Sequence, residues 1–287
     1  MPELPEVQTV VSDLNKKIKG DVVTAFWSAW PKAIKGMSLA KFKKEIVGKK
    51  ILGARRIGKN IFIDLSGGKT LYIHLKMTGH LLVKSLKLKV ESKEKDYFED
   101  RVNQYVRHKF FLGKNTVMEF SDMRKFAKIV LVDTDKVGEL PEIKKLGIDA
   151  MDRGFTLKKF EEILEKRKNK KLSLVLMEQE LIAGIGNIYR SEILFDAGIN
   201  PDRMAKDLKR EEIKKAHMVT IKILKKAIKM RGTSDSDYRD TSGAPGSFQK
   251  VLKVYGKTGK KCQRCGRMIE RKIIGQRSIF FCPNCQK

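Results

Sequence analysis

The sequence is informative first through what it is short of. No apolar run reaches the roughly 20 residues that a membrane-spanning helix requires. The N-terminus carries no basic stretch leading into an apolar core. The expectation is a soluble cytosolic protein without a signal peptide. No internal repeat is visible, and no cysteine occurs before position 262. Acidic residues are scarce, 34 Asp and Glu against 62 Lys and Arg, which leaves a formal net charge of +28 over 287 residues. Such an excess favours polyanions, nucleic acid first and an anionic membrane surface second. Part of it, as in Lys166-Arg167-Lys168-Asn169-Lys170-Lys171, is ordinary solvated surface. The length leaves room for two or three small domains.

The four cysteines form two pairs, Cys262-x2-Cys265 and Cys282-x2-Cys285, with sixteen residues between them. Each short loop supplies two thiolates and the pairs close a tetrahedron, the spacing of a structural zinc site. Two disulfides would require a secreted module, against the expected compartment. Lys260, Lys261, Arg264, Arg267, Arg271, Lys272 and Arg277 surround the site and partly offset its negative charge. The residues 268–274 and 277–281 read as two strands turning at Gly275, a β-hairpin finger with Arg277 at or near its tip.

The chain opens Met1-Pro2-Glu3-Leu4-Pro5-Glu6-Val7. Loss of Met1 would leave Pro2 as a terminal secondary amine, whose reference pKa of about 7.7–8.0 gives a usable uncharged fraction near neutral pH. Such an amine attacks carbon electrophiles and forms an iminium, a strong electron sink. Pro2 and Pro5 read equally well as residues that simply start a helix. Val7, Val10, Val11, Leu14 and Ile18 recur at helical spacing, with Glu3 and Glu6 in the first turn where the helix dipole favours negative charge.

From Val22 to Val132 short strands dominate: 22–27, 50–52, 60–65, 70–75, 116–120 and 129–132, with Gly67-Gly68 as a hairpin turn. A β-sandwich or barrel fits. The stretch from Lys84 to Arg107 is charged and weakly patterned, a long excursion. Helical periodicity then gives helices over 157–164, 172–180, 188–197 and 211–230. Gly232 to Gly246, rich in Gly, Ser, Thr and Asp, reads as a flexible loop. The turn Ile182-Ala183-Gly184-Ile185-Gly186-Asn187-Ile188-Tyr189 offers backbone N–H groups to a phosphate or is an ordinary helix connection. It is not a dinucleotide fingerprint, since no strand is expected before it and the third glycine is absent. His74, His80, His108 and His217 show no ligand spacing.

Together these blocks resemble the formamidopyrimidine-DNA glycosylases, bacterial base-excision repair enzymes. They are Pro2 to Val7; Arg55-Arg56-Ile57-Gly58-Lys59; His74-Leu75-Lys76-Met77-Thr78-Gly79; Ser121-Asp122-Met123-Arg124-Lys125-Phe126; Gly184 to Tyr189; and Gln276 to Cys282. The resemblance implies an α+β fold: an N-terminal β-sandwich with an N-terminal helix, a helix-two-turn-helix domain and a C-terminal β-hairpin zinc finger. The implied division is 1–135 catalytic, 136–155 linker, 156–250 DNA-binding with a lesion-recognition loop, and 251–287 finger. It further implies one structural Zn²⁺, duplex DNA containing damaged bases as partner, a monomer, and a place with the bacterial nucleoid.

By the same resemblance, Pro2 attacks the sugar of a flipped-out oxidised purine nucleotide, with Glu3 as general acid/base beside it. Lys59 contacts phosphate and assists β-elimination, and Arg277 binds phosphate for δ-elimination. Met77, Arg124 and Phe126 fill the space the base leaves, although by residue type Met77 and Phe126 read as core. Asn187 contacts phosphate. Three departures stand out. Asp122-Met123-Arg124-Lys125-Phe126-Ala127 replaces the family's Asp-Pro-Arg-Arg-Phe-Gly, with a looser turn expected. Leu172-Ser173 replaces Ile-Lys, with Lys168 or Lys170 as a substitute. Tyr105 replaces a histidine near the DNA strand, in a region longer than usual. Two other readings remain: an endonuclease VIII-like enzyme for oxidised pyrimidines, against which Leu4 and the trio argue, and a non-catalytic zinc-finger DNA-binding protein.

Overall fold

The structure, a computed structural model, describes residues 1–86, 96–113, 115–235 and 237–287. The chain divides into two compact units, Met1–Lys144 with Met230–Gln249, and Lys145–Lys229 with Lys250–Lys287. The expected flexible loop therefore packs with the N-terminal residues.

In the first unit α1 (Leu4–Lys17) is followed by β1 (Val23–Ser28), β2 (Ile34–Lys35), α2 (Leu39–Ile46), β3 (Ile51–Ile57), β4 (Asn60–Leu65), β5 (Lys69–His74) and β6 (His80–Ser85). Then come β7 (Val106–Leu112), β8 (Thr116–Ser121), β9 (Lys128–Asp133) and α3 (Pro141–Lys144). The strands form two sheets, ordered β1-β7-β8-β6 and β2-β9-β5-β4-β3. Ile61, Ile63, Leu71 and Ile73 of one sheet share a core with Leu81, Phe110, Met118 and Phe120 of the other, a sandwich. Val7, Val10, Val11, Leu14 and Ile18 insert the apolar stripe of α1 into that core. Phe62 and Tyr72 face away from it and are covered by Val137, Leu140 and Ile143. The central strands β4 and β5 are thus buried on both faces, so they read as nearly continuous apolar runs.

The second unit contains β10 (Ile148–Asp149), α4 (Leu157–Lys166), α5 (Leu172–Val175), β11 (Ile182–Ala183), α6 (Asn187–Ala197), α7 (Arg210–Lys229), β12 (Glu270–Ile274) and β13 (Arg277–Phe281). Thr156 caps α4 by accepting the Lys159 N–H at 3.2 Å. α6 is buried almost all round, which suits a central helix contacting α5, α7 and β13. Phe195 of α6 joins Val254, Cys262, Ile269 and Cys282 in a small core beneath the finger.

Four expectations need correction. The β2, β6 and β7 strands and the α2 helix escaped the sequence reading; β7 alternates in burial but not in residue type, running Arg-His-Lys and then Phe-Phe-Leu, and the excursion starts at the last residues of β6. The helix expected over 172–180 ends at Val175, because Met177 and Glu178 donate to residues three back and tighten the chain into turns. A two-residue strand, β11, does precede the Gly184–Gly186 turn, paired in parallel with β10, so only the missing third glycine argues against a dinucleotide fingerprint. Part of the excursion, residues 87–95, lies outside the described residues; its remainder forms short 3₁₀ turns at Tyr97–Glu99 and Arg101–Gln104 and then β7.

Candidate active site and nucleic-acid interface

The start of α1 is held from several sides. Pro2 and Glu3 are buried, and Glu3 is the residue that caps the helix. Glu6 Oε2 accepts the Glu3 N–H at 2.7 Å, part of a capping box, while its Oε1 accepts the Thr233 N–H at 2.6 Å. One buried carboxylate therefore ties the chain terminus to the 233–246 loop. Arg56 donates to Gln8 Oε1 at 2.8 Å and to the Gly58 carbonyl at 3.2 Å, which fixes the β3–β4 turn against the same helix. Within that turn Gly58 alone has positive φ, +58°, the pattern of a II′ hairpin, and it places Lys59 at a position only 6% exposed. Burial, with Lys76 and Lys59 adding repulsion, holds His74 down to about 4, a neutral ring among lysines. Its Nδ1 accepts the Lys76 N–H at 2.9 Å.

Met77, Arg124 and Phe126 come together. Arg124 Nη1 lies 3.0 Å from Met77 Sδ, and its guanidinium sits 4.8 Å from the centre of the Phe126 ring. Met77 is 44% and Phe126 54% exposed, so neither is a core residue. Both stand on braced turns. Asp122 Oδ1 accepts the Thr78 hydroxyl at 2.5 Å and the Arg124 N–H at 3.2 Å, and Oδ2 accepts the Ala127 N–H at 2.8 Å. The turn expected to be loose is thus tied at both ends. Gly79 is needed for close approach, since a Cβ there would lie 2.5 Å from the Leu75 carbonyl oxygen. Met77 and Phe126 line a cavity of about 700 Å³ with Met1, Trp30, Lys32, Lys35, Lys76, Lys125 and Lys128. Lys125 and Lys32 flank the Trp30 ring, at 4.6 Å and 5.6 Å. Lys128 is paired with Glu142, and the cluster as a whole gives the mouth a positive field.

Tyr105 is half-buried beside this turn: its carbonyl accepts the Asp122 N–H at 2.9 Å and its ring lies 5.9 Å from the Arg107 guanidinium. In the second unit, Arg277 is exposed beside the β12–β13 turn, opposite Ile274. Asn187 begins α6, but its side chain is engaged, with Nδ2 donating to Ser278 O at 2.9 Å and Oδ1 accepting from Arg190 at 2.5 Å. Lys168 is exposed and paired with Glu165 at 3.0 Å, and Lys170 with Glu178 at 2.9 Å. Ser173 is fully buried and donates to Pro201 O at 2.7 Å, a packing role that replaces a lysine's charge.

The sulfurs of Cys262, Cys265, Cys282 and Cys285 all lie within 4.8 Å of one another. The close pairs are 3.5 and 3.9 Å apart, against about 3.8 Å for the edge of a tetrahedron with Zn–S bonds of about 2.3 Å. Hydrogen bonds from Asn284 and the Arg267 backbone hold the Cys265 thiol below its usual range, while burial pushes Cys282 and Cys285 up. These four residues hold one structural zinc. Arg264 is committed elsewhere, stacked 4.3 Å from the centre of Phe195 and paired with Asp196.

Residues 1–129 match the formamidopyrimidine-DNA glycosylase N-terminal domain, 146–239 the formamidopyrimidine-DNA glycosylase H2TH domain, and 259–287 the zinc finger found in FPG and IleRS. The chain belongs to the formamidopyrimidine-DNA glycosylase family. A formamidopyrimidine-DNA glycosylase from Pelotomaculum thermopropionicum is 38% identical over 287 residues, covering 100% of this chain and 99% of that one. A Lactococcus lactis family member, solved as a mutant bound to Fapy-dG-containing DNA, superposes with a TM-score of 0.87 at 34% identity and 100% coverage of both chains. The wild-type Lactococcus protein with oxidised-pyrimidine-containing DNA gives a TM-score of 0.85, also at 34% identity and full coverage. Among the described residues no helix is long and apolar enough to cross a membrane.

For this formamidopyrimidine-DNA glycosylase family member, sequence reasoning missed the braces: Thr78, Asp122, Arg56 with Gln8, and the contact of Glu6 with Thr233. Thr78 and Asp122 are residue types that satisfy turn N–H groups, and their places near Met77 and Arg124 made that signal available. The Glu6 contact spans over two hundred residues and had no local trace.

Proposed function

We infer that this chain excises oxidised purines from duplex DNA and then cleaves the strand, with the Pro2 amine as nucleophile once Met1 is removed. One observation supports this above all: Met1 lines the same cavity as Met77, Phe126 and the lysine cluster, so the chain end and the wedge open onto one space. A flipped nucleotide entering there brings its sugar C1′ to the terminus, while Met77, Arg124 and Phe126 occupy the stack it leaves. Pro2 N forms a bond to C1′ as the bond to the base breaks. Glu3 gives a proton to the ring oxygen as the sugar opens, leaving an iminium. That iminium acidifies C2′, and loss of its proton expels the 3′ phosphate, then the 5′ phosphate in a second elimination. Lys59 serves the first elimination and Arg277 the second.

Asn187 at the start of α6 is the proposed phosphate contact there, where the helix dipole favours an anion. Lys168 and Tyr105 complete the proposed DNA contacts; freeing Lys168 from Glu165 costs about 0–1 kcal/mol, as for any exposed pair. Zinc takes no part in the chemistry and holds the hairpin that presents Arg277. Such a substrate places the protein with the bacterial nucleoid. Oxidised pyrimidines are a second substrate class, favoured by the Lactococcus complex with such DNA.

Borohydride reduction tests the reading. Processed, zinc-loaded protein is mixed with duplexes carrying 8-oxoguanine opposite cytosine, an oxidised pyrimidine, or an abasic site. A covalent adduct that disappears in Pro2→Gly and in protein retaining Met1 is expected. No adduct with any of the three would leave only a DNA-binding role, and an adduct confined to the pyrimidine duplex would favour the second substrate class.

A further inference from the structure

The charged excursion is the one sequence feature that the proposed chemistry leaves without a role. Its described end, Asp96 to Tyr105, packs on the 233–246 loop within the same compact unit. Asp100 Oδ2 accepts from Arg239 Nε at 3.1 Å and Nη2 at 2.9 Å, and the Arg239 side chain is only 13% exposed. Asp100 Oδ1 meanwhile caps the Arg101–Gln104 turn at the Val102 N–H. Asn103 is 1% exposed and donates to the carbonyls of Tyr97 at 2.7 Å and Gly243 at 3.2 Å. Gly243 has φ +78°, and a Cβ there would lie 2.7 Å from Asn103 Nδ2 and 3.1 Å from the Tyr97 carbonyl oxygen. The fit is therefore close enough to demand glycine. Between these two contacts, Arg239 Nη1 donates to the Tyr238 carbonyl at 2.8 Å, which also accepts the Ser234 hydroxyl at 2.7 Å.

We propose that the 97–104 segment is a clamp that sets the conformation of the 233–246 loop through Asp100–Arg239 and Asn103–Gly243, and thereby sets which damaged bases the site accepts. This rests on the proposed glycosylase activity and on what the family resemblance implies for residues 233–246, that they form the lesion-recognition loop over the flipped base. Arg239 and Asp100 are positioning residues: they act on the base through the loop's backbone, held at Tyr238 on one side and Gly243 on the other. A substrate without a base gives the loop nothing to read, so the clamp is silent for abasic DNA. Excision of a base requires the loop in its clamped form.

The test is single-turnover cleavage by the full zinc-loaded chain on three duplexes, containing 8-oxoguanine, a formamidopyrimidine or a preformed abasic site. Arg239→Gln removes the ion pair and leaves the Asp100 cap in place; Asp100→Asn keeps the cap and removes the charge. Each is expected to slow base excision by about tenfold and to change the ratio between the two lesions, with abasic cleavage within about twofold of wild type. The double variant should be no worse than either single one, and Arg239→Lys, which keeps the charge but not the fork or the Tyr238 bond, should lose less than Arg239→Gln. Parallel losses on all three duplexes, or unchanged lesion ratios, would overturn the clamp while leaving the glycosylase reading intact. A wild-type chain that cuts none of the three overturns both.

Discussion

Asp122→Asn isolates the brace under the wedge, because it keeps the side chain's shape and leaves no cavity. Asp122 is 2% exposed and its two oxygens serve the Thr78 hydroxyl, the Arg124 N–H and the Ala127 N–H. An amide retains one acceptor oxygen and turns an NH₂ toward the other set of partners. If nitrogen takes the Oδ2 place, it faces the Ala127 N–H donor to donor. If it takes the Oδ1 place, the Thr78 hydroxyl can rotate to accept, and the Arg124 N–H must then rely on Thr78 alone, 3.1 Å away. One strained or orphaned buried N–H costs about 1–3 kcal/mol, and losing the charge on the remaining bonds costs about 1 kcal/mol more. A total near 3 kcal/mol lowers the melting temperature by about 6–12 °C in a unit of this size. Expressed in full at the wedge, the same energy slows excision by about a hundredfold. Differential scanning calorimetry and a nicking assay opposite cytosine measure the two effects. Arg124→Ala provides the contrast: activity falls and the melting temperature does not. An Asp122→Asn protein that melts and cuts as wild type would refute the assignment of the turn to Asp122.

Three further outcomes are expected. Burial between Phe26 and Phe120 holds His108 down to about 4, below its unfolded value near 6.5, so the unfolded chain takes up the proton first. The His108 contribution to stability is complete above about pH 6.5 and falls by at most about 3 kcal/mol as the pH drops to about 4; His108→Phe should flatten that part of the slope in urea titrations, and an unchanged slope would contradict the burial argument. Chelation should release one zinc per chain, read by a metallochromic dye, with loss of strand cleavage, whereas substoichiometric zinc in active protein would refute the tetrathiolate centre. Lys125 has φ +58° and an exposed ammonium at the cavity mouth. Lys125→Gly should reduce the slope of log K against log salt by about 1 on damaged and undamaged duplexes alike, and should melt no lower than wild type; a full salt slope would show that this lysine meets no phosphate.

How legible the molecule was depended on how local each signal is. The stripe of α1, the runs of β4 and β5 and the cysteine pairs are patterns within a few residues, and they reappear as elements and a metal centre. β7 was passed over although His108, Phe110 and Leu112 alternate inward, because Arg107 closes the charged excursion and Lys109 carries the same charge into the strand. Met77 and Phe126 read as core by type and are exposed by structure, and only the resemblance had pointed the other way. The braces were hidden for a different reason: Thr78–Asp122 and Glu6–Thr233 join distant residues, and a carboxylate's partner is not written in its neighbours.

The exposed wedge and the strained backbone belong to one problem. A residue proposed to enter a base stack cannot be buried in its own protein, and Met77 and Phe126, both exposed, forgo the core burial worth about 1.5–3 kcal/mol each. Each is preceded by a lysine in the left-handed region, Lys76 at φ +56° and Lys125 at φ +58°. Non-glycine residues hold that conformation at a cost of about 1–3 kcal/mol, and only where surrounding bonds over-determine it. Here the bonds are on both sides: His74 Nδ1 holds the Lys76 N–H, and Asp122 holds the N–H groups before and after Lys125. Glycine would satisfy the backbone at lower strain, but it would remove a cation from the cavity mouth and widen the turn's freedom. Lysine at both places keeps positive charge beside the wedge and leaves the turn one conformation. The same reasoning explains the terminus. A chain end would ordinarily fray, and the nucleophile proposed there is secured by an apolar stripe, a capping box and the Glu6 bond to Thr233. In both places the sandwich supplies the rigidity, and the exposed or strained groups it holds are those proposed to face DNA.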